Sequence, residues 1–225
     1  MATKICVSIA PQDVLSITRL ADQAFEQGAE YVEIRLDFLR LELLQKAIEA
    51  ITSKSRAIFT LRSKGQGGKF VGSEQDRVKW LQKLAEQKPM LLDVELPTLQ
   101  QNDELADFLD RQRTPLLVSW HDYQETPPND KIADLLSEMR IYSNYVKIVT
   151  TAKSVADSLR LLELYDTATG LHPIFFAMGE AGVISRVMCT VIGNAPFTYA
   201  SLDEPMAPGQ LTLAQMRKLY DKMKT

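Results

Sequence analysis

The turn 10-APQDV-14 follows the first strand-like run of the chain, 4-KICVSIA-10, and it contains no glycine. An open, doubly wound sheet that binds a phosphate-containing cofactor would favour a glycine-rich turn here, because glycine lets the backbone approach the phosphates closely. The turn therefore favours the other common arrangement of alternating strands and helices, a closed (β/α)8 barrel.

Apolar runs of strand length, rich in β-branched residues, recur along the whole chain. They are 4-KICVSIA-10, 31-YVEIRLD-37, 57-AIFTLR-62, 90-MLLDVEL-96, 115-PLLVSWHD-122, 145-YVKIVTTA-152, 173-PIFFAMG-179 and 197-FTYASL-202. Segments with the apolar spacing of helices lie between them, for example 153-KSVADSLRLLELYD-166. Strands that alternate with helices pair in parallel through right-handed crossovers. The pattern predicts one (β/α)8 TIM barrel, and we expect it to form a single domain over residues 1–225.

The composition excludes several classes of partner. The 225 residues include 45% hydrophobic and 24% charged ones, and the formal net charge of -3 gives no attraction to nucleic acid or to an anionic membrane. No apolar run is long enough to span a bilayer, and Cys6 and Cys189 lie in apolar contexts typical of reduced thiols. We expect a cytoplasmic protein that binds a small molecule or another copy of itself, with no nucleic-acid or membrane partner.

Polar residues occupy one face of strand after strand. In 31-YVEIRLD-37, Val32 and Ile34 point to the helices, so Glu33 and Arg35 point into the barrel, because successive strand residues face opposite sides. The same alternation predicts these inward polar residues: Ser8, Glu33, Arg35, Asp37, Thr60, Arg62, Asp93, Glu95, Ser119, His121 and Lys147.

Charges inside a barrel need an explanation, because barrel interiors are usually filled with branched apolar side chains. A salt-bridged barrel mouth is one interpretation, and for Asp93 and Glu95 pairing with inward arginines is as reasonable as catalysis. The other interpretation is an active site, since these charges lie toward the carboxyl-terminal ends of the strands, where barrel enzymes carry out their chemistry.

Lys147 and His121 lie on neighbouring strands and suggest a specific chemistry. Burial disfavours the charged form of an amine, and the neutral amine attacks carbonyls, so Lys147 is a candidate Schiff-base nucleophile. His121 suits proton transfer near neutral pH. An imine beside a general base can remove a proton next to a ketone, because the iminium withdraws the electrons left behind.

Several motifs in the same order resemble a known family. The chain contains 33-EIRLD-37, 60-TLRSKGQGG-68, 119-SWHD-122, 145-YVKI-148, 178-MGEAGVISR-186 and 207-APGQ-210. In this order the motifs resemble those of the type I 3-dehydroquinate dehydratases, enzymes of the shikimate pathway that leads to chorismate and the aromatic amino acids. The likeness is collinear over nearly the whole chain.

The resemblance implies a cofactor-free and metal-free lyase that converts 3-dehydroquinate to 3-dehydroshikimate. Lys147 would form an imine with the C3 ketone, and His121 would remove a proton from C2 and later protonate the departing C1 hydroxyl. It also implies a substrate pocket and, as in many family members, a homodimer. The positions that match the pocket are Glu33, Arg35 and Arg62 toward the ring hydroxyls, Arg186 toward the carboxylate, Gln210 on the closing loop, and, with no further role, Ser8 and Met178.

Two departures from the family pattern affect the expected site. Gln66 stands where the family usually has a glutamate, so the carboxylate that would support His121 is missing; a glutamine can still donate or accept a hydrogen bond. Met206 stands where a small hydroxyl residue usually contacts the substrate carboxylate. The loss is one hydrogen bond to a charged group, worth roughly 1.5–3 kcal/mol, unless a backbone N–H replaces it.

Two other functions remain open from the sequence. Another lysine-imine barrel, such as a class I aldolase, would use the same amine to cleave a carbon-carbon bond. A catalytically weakened barrel that binds a quinate-like ligand is the second alternative, and the residues that favour it are Gln66 and Met206.

Overall fold

The strands form where the apolar runs of the sequence predict them. The computed structural model describes residues 3–223. Eight strands pair in parallel in the order β7-β6-β5-β4-β3-β2-β1-β8, so the predicted (β/α)8 barrel is confirmed. The strands are β1 (Ile5–Ile9), β2 (Tyr31–Arg35), β3 (Ala57–Thr60), β4 (Leu91–Glu95), β5 (Leu116–His121), β6 (Tyr145–Thr151), β7 (His172–Met178) and β8 (Thr198–Ser201).

Helices connect the strands and cover the outside of the sheet. They are α1 (Val14–Glu26), α2 (Leu44–Ala50), α3 (Glu74–Glu86), α4 (Leu96–Gln100), α5 (Asp103–Arg111), α6 (Asn129–Met139), α7 (Val155–Glu163), α8 (Val183–Met188) and α9 (Leu213–Met223). In the glycine-free turn after β1, the Asp13 carboxylate accepts a hydrogen bond of 2.8 Å from the Ser16 N–H and caps α1. No helix within residues 3–223 has the length and apolarity needed to cross a membrane.

Strand alternation sorts the side chains into two layers. Val146 and Ile148 pack in the core that includes the helices, whereas Lys147 between them points into the barrel. The amino-terminal half of the barrel interior is apolar, and the polar residues lie above it. This apolar interior layer includes Cys6, Ile58, Leu91, Leu117, Ile174 and Phe197.

The barrel is nearly closed, with a seam between β7 and β8, since no backbone pairing within residues 3–223 joins these two strands. The start of α8 packs tightly on the seam: a Cβ on Gly182 would lie 2.4 Å from the Ala177 carbonyl oxygen, so glycine is required there. Ser185 Oγ accepts a hydrogen bond of 2.9 Å from the Ala177 N–H, and Thr198 Oγ1 donates one of 2.7 Å to the Arg186 carbonyl. These contacts fix α8 to both strands and bring Arg186 to the barrel mouth.

Candidate active site

Lys147 lies between two carboxylates in the polar half of the barrel. Its side chain is buried, and Nζ is 2.7 Å from Asp93 Oδ2 and 3.4 Å from Glu33 Oε1. The ring of Tyr199 lies 4.6 Å from Nζ, measured to the ring centroid. The nearest charged neighbours of the buried lysine are therefore two carboxylates.

Asp93 is the centre of a buried network. Its Oδ2 also accepts a hydrogen bond of 2.6 Å from Arg62, and its Oδ1 accepts one of 2.6 Å from Ser119 Oγ. Burial alone would raise the pKa of the Asp93 carboxyl, but Arg62 and Lys147 outweigh that effect and hold the pKa well below its usual range. Asp93 is thus a fixed negative charge beside the lysine.

Glu33 is the second anion at the lysine. Its Oε2 accepts a hydrogen bond of 2.6 Å from Ser8 Oγ, and its Oε1 accepts one of 3.0 Å from Thr60 Oγ1. Burial raises the pKa of this carboxyl, whereas Lys147 and Arg35 lower it by more, so the net shift is downward. The site therefore places two ionised carboxylates and one ammonium group within a few ångströms of each other.

Glu95, the other carboxylate on β4, has a structural partner instead. It accepts a hydrogen bond of 2.8 Å from Arg77, a buried side chain of α3, and one of 2.8 Å from the Ser63 N–H. Arg77 also donates to Thr98 and to the Leu61 carbonyl. Of the two interpretations that the sequence leaves open for Glu95, the geometry favours pairing.

His121 ends β5 at the barrel mouth, and the loop after β3 contacts it. Gln66 Oε1 accepts a hydrogen bond of 2.9 Å from the backbone N–H of His121, not from its ring. The ring Nδ1 is buried and has no hydrogen-bond partner among residues 3–223. Burial lowers the pKa of His121 well below its ordinary value, and the nearby charges of Arg62 and Lys147 lower it further. The imidazole is therefore neutral over a wide pH range.

Arg186 is a buried cation for which the described part of the chain supplies no anion. Its side chain is only 2% exposed, and the buried Nε has no hydrogen-bond partner within residues 3–223. The guanidinium lies 4.2 Å from the ring centroid of Phe176. Burial lowers the pKa of Arg186 to about 10. A buried charge of this kind is costly unless a ligand pairs with it, and a guanidinium fork matches the two oxygens of a carboxylate.

Two other positions of the predicted site, Arg35 and Met206, already form hydrogen bonds within the chain. Arg35 donates two hydrogen bonds of 2.8 Å to Asp37, which lies in the 3-10 turn just after β2 and also accepts one of 2.9 Å from the Lys69 N–H. The N–H of Met206 donates to Gln210 Oε1 at 2.8 Å. The backbone N–H of Met206 is therefore not free to replace the hydroxyl that this position lacks.

All the predicted site residues except Gln66 line one cleft at the carboxyl-terminal end of the barrel. The cleft has about 530 Å3 of empty space, its open mouth included. Its lining consists of Ser8, Glu33, Arg35, Arg62, His121, Tyr123, Lys147, Val149, Phe176, Met178, Arg186, Tyr199, Met206, Ala207 and Gln210.

Comparison with known families agrees with this arrangement. The family model described as type I 3-dehydroquinase matches residues 5–225. The chain belongs to the type I 3-dehydroquinase family.

The similarity between this chain and other type I 3-dehydroquinases extends over almost its whole length. A 3-dehydroquinate dehydratase of Dehalococcoides mccartyi is 37% identical over 91% of this chain and 92% of the relative. The crystal structure of the 3-dehydroquinate dehydratase of Aquifex aeolicus has a TM-score of 0.80 and 30% identity, covering 98% of both chains. That of Geobacillus kaustophilus, at 22% identity, has the same fold with a TM-score of 0.89 and covers 100% of this chain and 92% of that one.

Two tyrosines of the cleft, and the contact between Asp93 and Lys147, were not predicted from the sequence. The strand alternation included Asp93 but not its contact with Lys147. Tyr199 lies inside the barrel, and the same alternation applied to 197-FTYASL-202 would have found it. Tyr123 lies two residues beyond His121, with its ring nearly parallel to the imidazole, and it lines the cleft from outside the strand.

Proposed function

We propose that this chain dehydrates 3-dehydroquinate to 3-dehydroshikimate through an imine on Lys147. The observation that carries the proposal is the buried guanidinium of Arg186, which has no protein anion among the described residues and opens into the same cleft as Lys147 and His121. The substrate has a carboxylate for Arg186 and a ketone for the lysine. The relatives named as 3-dehydroquinate dehydratases support the same substrate.

The proposed reaction begins at the lysine. The neutral amine adds to the C3 carbonyl, and the resulting carbinolamine loses water to give an iminium. His121 then removes a proton from C2, and the electron pair of that C–H bond forms the C2=C3 double bond of an enamine. The enamine electrons form the C1=C2 double bond as the C1–O bond breaks, and His121 returns its proton to the departing hydroxyl. Water finally hydrolyses the imine and releases the product.

The carboxylates of Asp93 and Glu33 match the charge that develops on the lysine nitrogen during the reaction. Asp93 and Glu33 lie 2.7 and 3.4 Å from the lysine nitrogen that becomes the iminium. The iminium restores a positive charge at the same nitrogen, so the same anions stabilise the intermediate without rearranging. We infer that the main role of Asp93 is to stabilise the iminium intermediate.

The proposed substrate contacts follow the positions in the cleft. The carboxylate pairs with Arg186, and the ring hydroxyls bind Glu33, Arg35 and Arg62. Ser8 orients Glu33 through its 2.6 Å hydrogen bond, while Gln210 and Met178 close the cleft.

The direct test is an assay with 3-dehydroquinate that follows the absorbance of the conjugated product. We expect one conjugated enone and one water for each substrate consumed. Carbon-carbon cleavage products would favour an aldolase instead. Binding without any turnover would favour the weakened barrel, and either outcome would overturn the proposal.

Replacement of Arg186 tests the carboxylate contact. Because truncating one partner of a buried ion pair costs about 2–5 kcal/mol, we expect Arg186→Ala to lower kcat/KM by about 30- to 5,000-fold. Arg186→Lys keeps the charge but not the fork and should recover part of the loss. Arg111→Ala, at the exposed end of α5, is the matched control and should behave like the unmodified protein. An Arg186→Ala variant with unchanged kcat/KM would contradict the assignment.

The pH dependence of kcat, measured at saturating substrate so that the lysine is already in the imine, tests the state of His121. A general base must be neutral, and the lowered pKa of His121 keeps it neutral at acidic pH where an ordinary histidine is protonated. Activity should therefore fall only below the ordinary histidine value of about 6.5, as the pH decreases through the lowered pKa. An acidic limb at or above that value would show that the base is not the buried imidazole.

A further inference from the structure

Tyr123 and the loop over residues 63–68 form a second set of contacts around His121. The loop contains a 3-10 turn (Lys64–Gln66), and it binds the end of β5 at two points. Gln66 Oε1 accepts from the His121 N–H at 2.9 Å, and the Gln66 carbonyl accepts from the Tyr123 hydroxyl at 3.0 Å. One residue of the loop therefore holds both ends of the segment 121–123.

Gly67 makes the position of Tyr123 possible. Its φ is 75°, in the left-handed region, and a Cβ there would lie 2.1 Å from the Tyr123 hydroxyl. Glycine thus satisfies the backbone turn and leaves the space that the tyrosine occupies. The tyrosine rests directly on the turn, with half of its surface exposed.

The imidazole of His121 lies nearly parallel to the Tyr123 ring. The ring centroids are 6.1 Å apart and the planes differ by 15°. Buried histidines are usually oriented by a hydrogen bond to the ring nitrogen that does not react. Here Nδ1 has no such partner within residues 3–223, and the contact beside the imidazole is the nearly parallel Tyr123 ring.

We propose that Tyr123 is a positioning residue for His121: its hydroxyl is held by the Gln66 carbonyl, and its ring fixes the plane of the imidazole for proton transfer. The role rests on the proposed dehydration, in which His121 moves protons at C2 and C1. Tyr123 acts through the imidazole and needs no contact with the reacting atoms. Packing against Tyr123 would thereby orient the base in this chain, in which Gln66 stands where the family usually has a glutamate.

Two substitutions separate the hydroxyl from the ring. Tyr123→Phe removes the hydrogen bond to Gln66 and should lower kcat by about 3- to 10-fold, in line with the loss of one neutral hydrogen bond. Tyr123→Leu also removes the ring and should lower kcat by about 100-fold, since displacing a catalytic group by about 1 Å has effects of this size. Tyr145→Phe, at the opposite end of the barrel, is the matched control with unchanged kcat.

The reaction step that the Tyr123 substitutions slow distinguishes positioning of His121 from simple packing in the wall of the cleft. Imine formation precedes the proton transfer by His121, so borohydride should trap as much adduct in the Tyr123 variants as in the unmodified protein. A rise in KM with kcat unchanged would mean that Tyr123 only lines the cleft, and it would overturn the proposal. The Phe variant decides the matter if the Leu variant does not fold.

A measurement without substrate tests the positioning separately from the dehydration. The chain has two histidines, so NMR spectra of the imidazoles contain one signal to follow, His121, and one internal control, His172 at the other end of the barrel. In Tyr123→Leu we expect the His121 ring to titrate closer to an ordinary histidine while the His172 signals stay unchanged. Unchanged His121 signals in this variant would overturn the positioning role, whereas a lack of turnover in the unmodified protein would overturn the proposed function alone.

Discussion

Lys147→Ala is expected to lower the rate of 3-dehydroquinate dehydration by on the order of 10⁴-fold or more, as removal of a covalent nucleophile does in other enzymes. Among residues 3–223, Lys147 is the only lysine that lines the cleft, so no other described lysine can take over imine formation there. The absorbance assay with purified variant measures the loss.

The control for this variant is Lys153→Ala, six residues further on, where the lysine forms an exposed ion pair with Glu125. Its rate should match that of the unmodified protein. Because Lys147→Ala leaves Asp93 without one of its two cations, Lys147→Met is a useful companion that retains much of the side-chain volume. Substantial turnover in both Lys147 variants would rule out the imine mechanism.

His121→Ala is expected to lower kcat by about 10²- to 10⁴-fold, the usual contribution of a general acid or base. The imine forms at Lys147 before the histidine is needed, so borohydride should still trap the adduct in this variant. The expected combination is therefore a slow enzyme with a trappable intermediate.

His172→Ala is the matched control for His121, since His172 begins β7 at the amino-terminal end of the barrel. It should leave the rate unchanged. A His121 variant that neither turns over nor forms the adduct would place the histidine in imine formation and contradict the division of roles proposed above.

The fold and the inward side chains could be predicted because strand alternation is a local property. The sequence 145-YVKIVTTA-152 directs Lys147 inward whatever its neighbours are, and the glycine-free turn at Asp13 favoured the barrel over an open, phosphate-binding sheet. Arg186 required the family resemblance, because it lies on a short helix and reaches the mouth only through the packing of Gly182 on Ala177.

The contacts between distant strands could not be predicted. Lys147 on β6 meets Asp93 on β4 because the barrel curves across β5, and pairing register alone places Ser119, not Asp93, beside the lysine. Arg77 comes from a helix whose apolar spacing does not reveal that its guanidinium enters the barrel wall to meet Glu95. Such contacts depend on how elements pack, and no local pattern determines that.

The contacts of the loop over residues 63–68 could not be predicted from the sequence either. Gln66 was expected near His121, but a residue type does not say whether its amide meets a ring nitrogen or a backbone N–H. The actual bond to the His121 N–H depends on the turn at Gly67. Nδ1 of His121 has no hydrogen-bond partner within residues 3–223, and Tyr123 packs against the turn.

The most direct test of the account is the mass of the protein after incubation with 3-dehydroquinate and borohydride. Reduction converts an imine into a stable secondary amine, and digestion assigns the modified peptide. We predict one adduct per chain, on the peptide that contains Lys147, and no adduct in Lys147→Ala. Product formation by a protein that gives no adduct, or an adduct on another lysine, would contradict it.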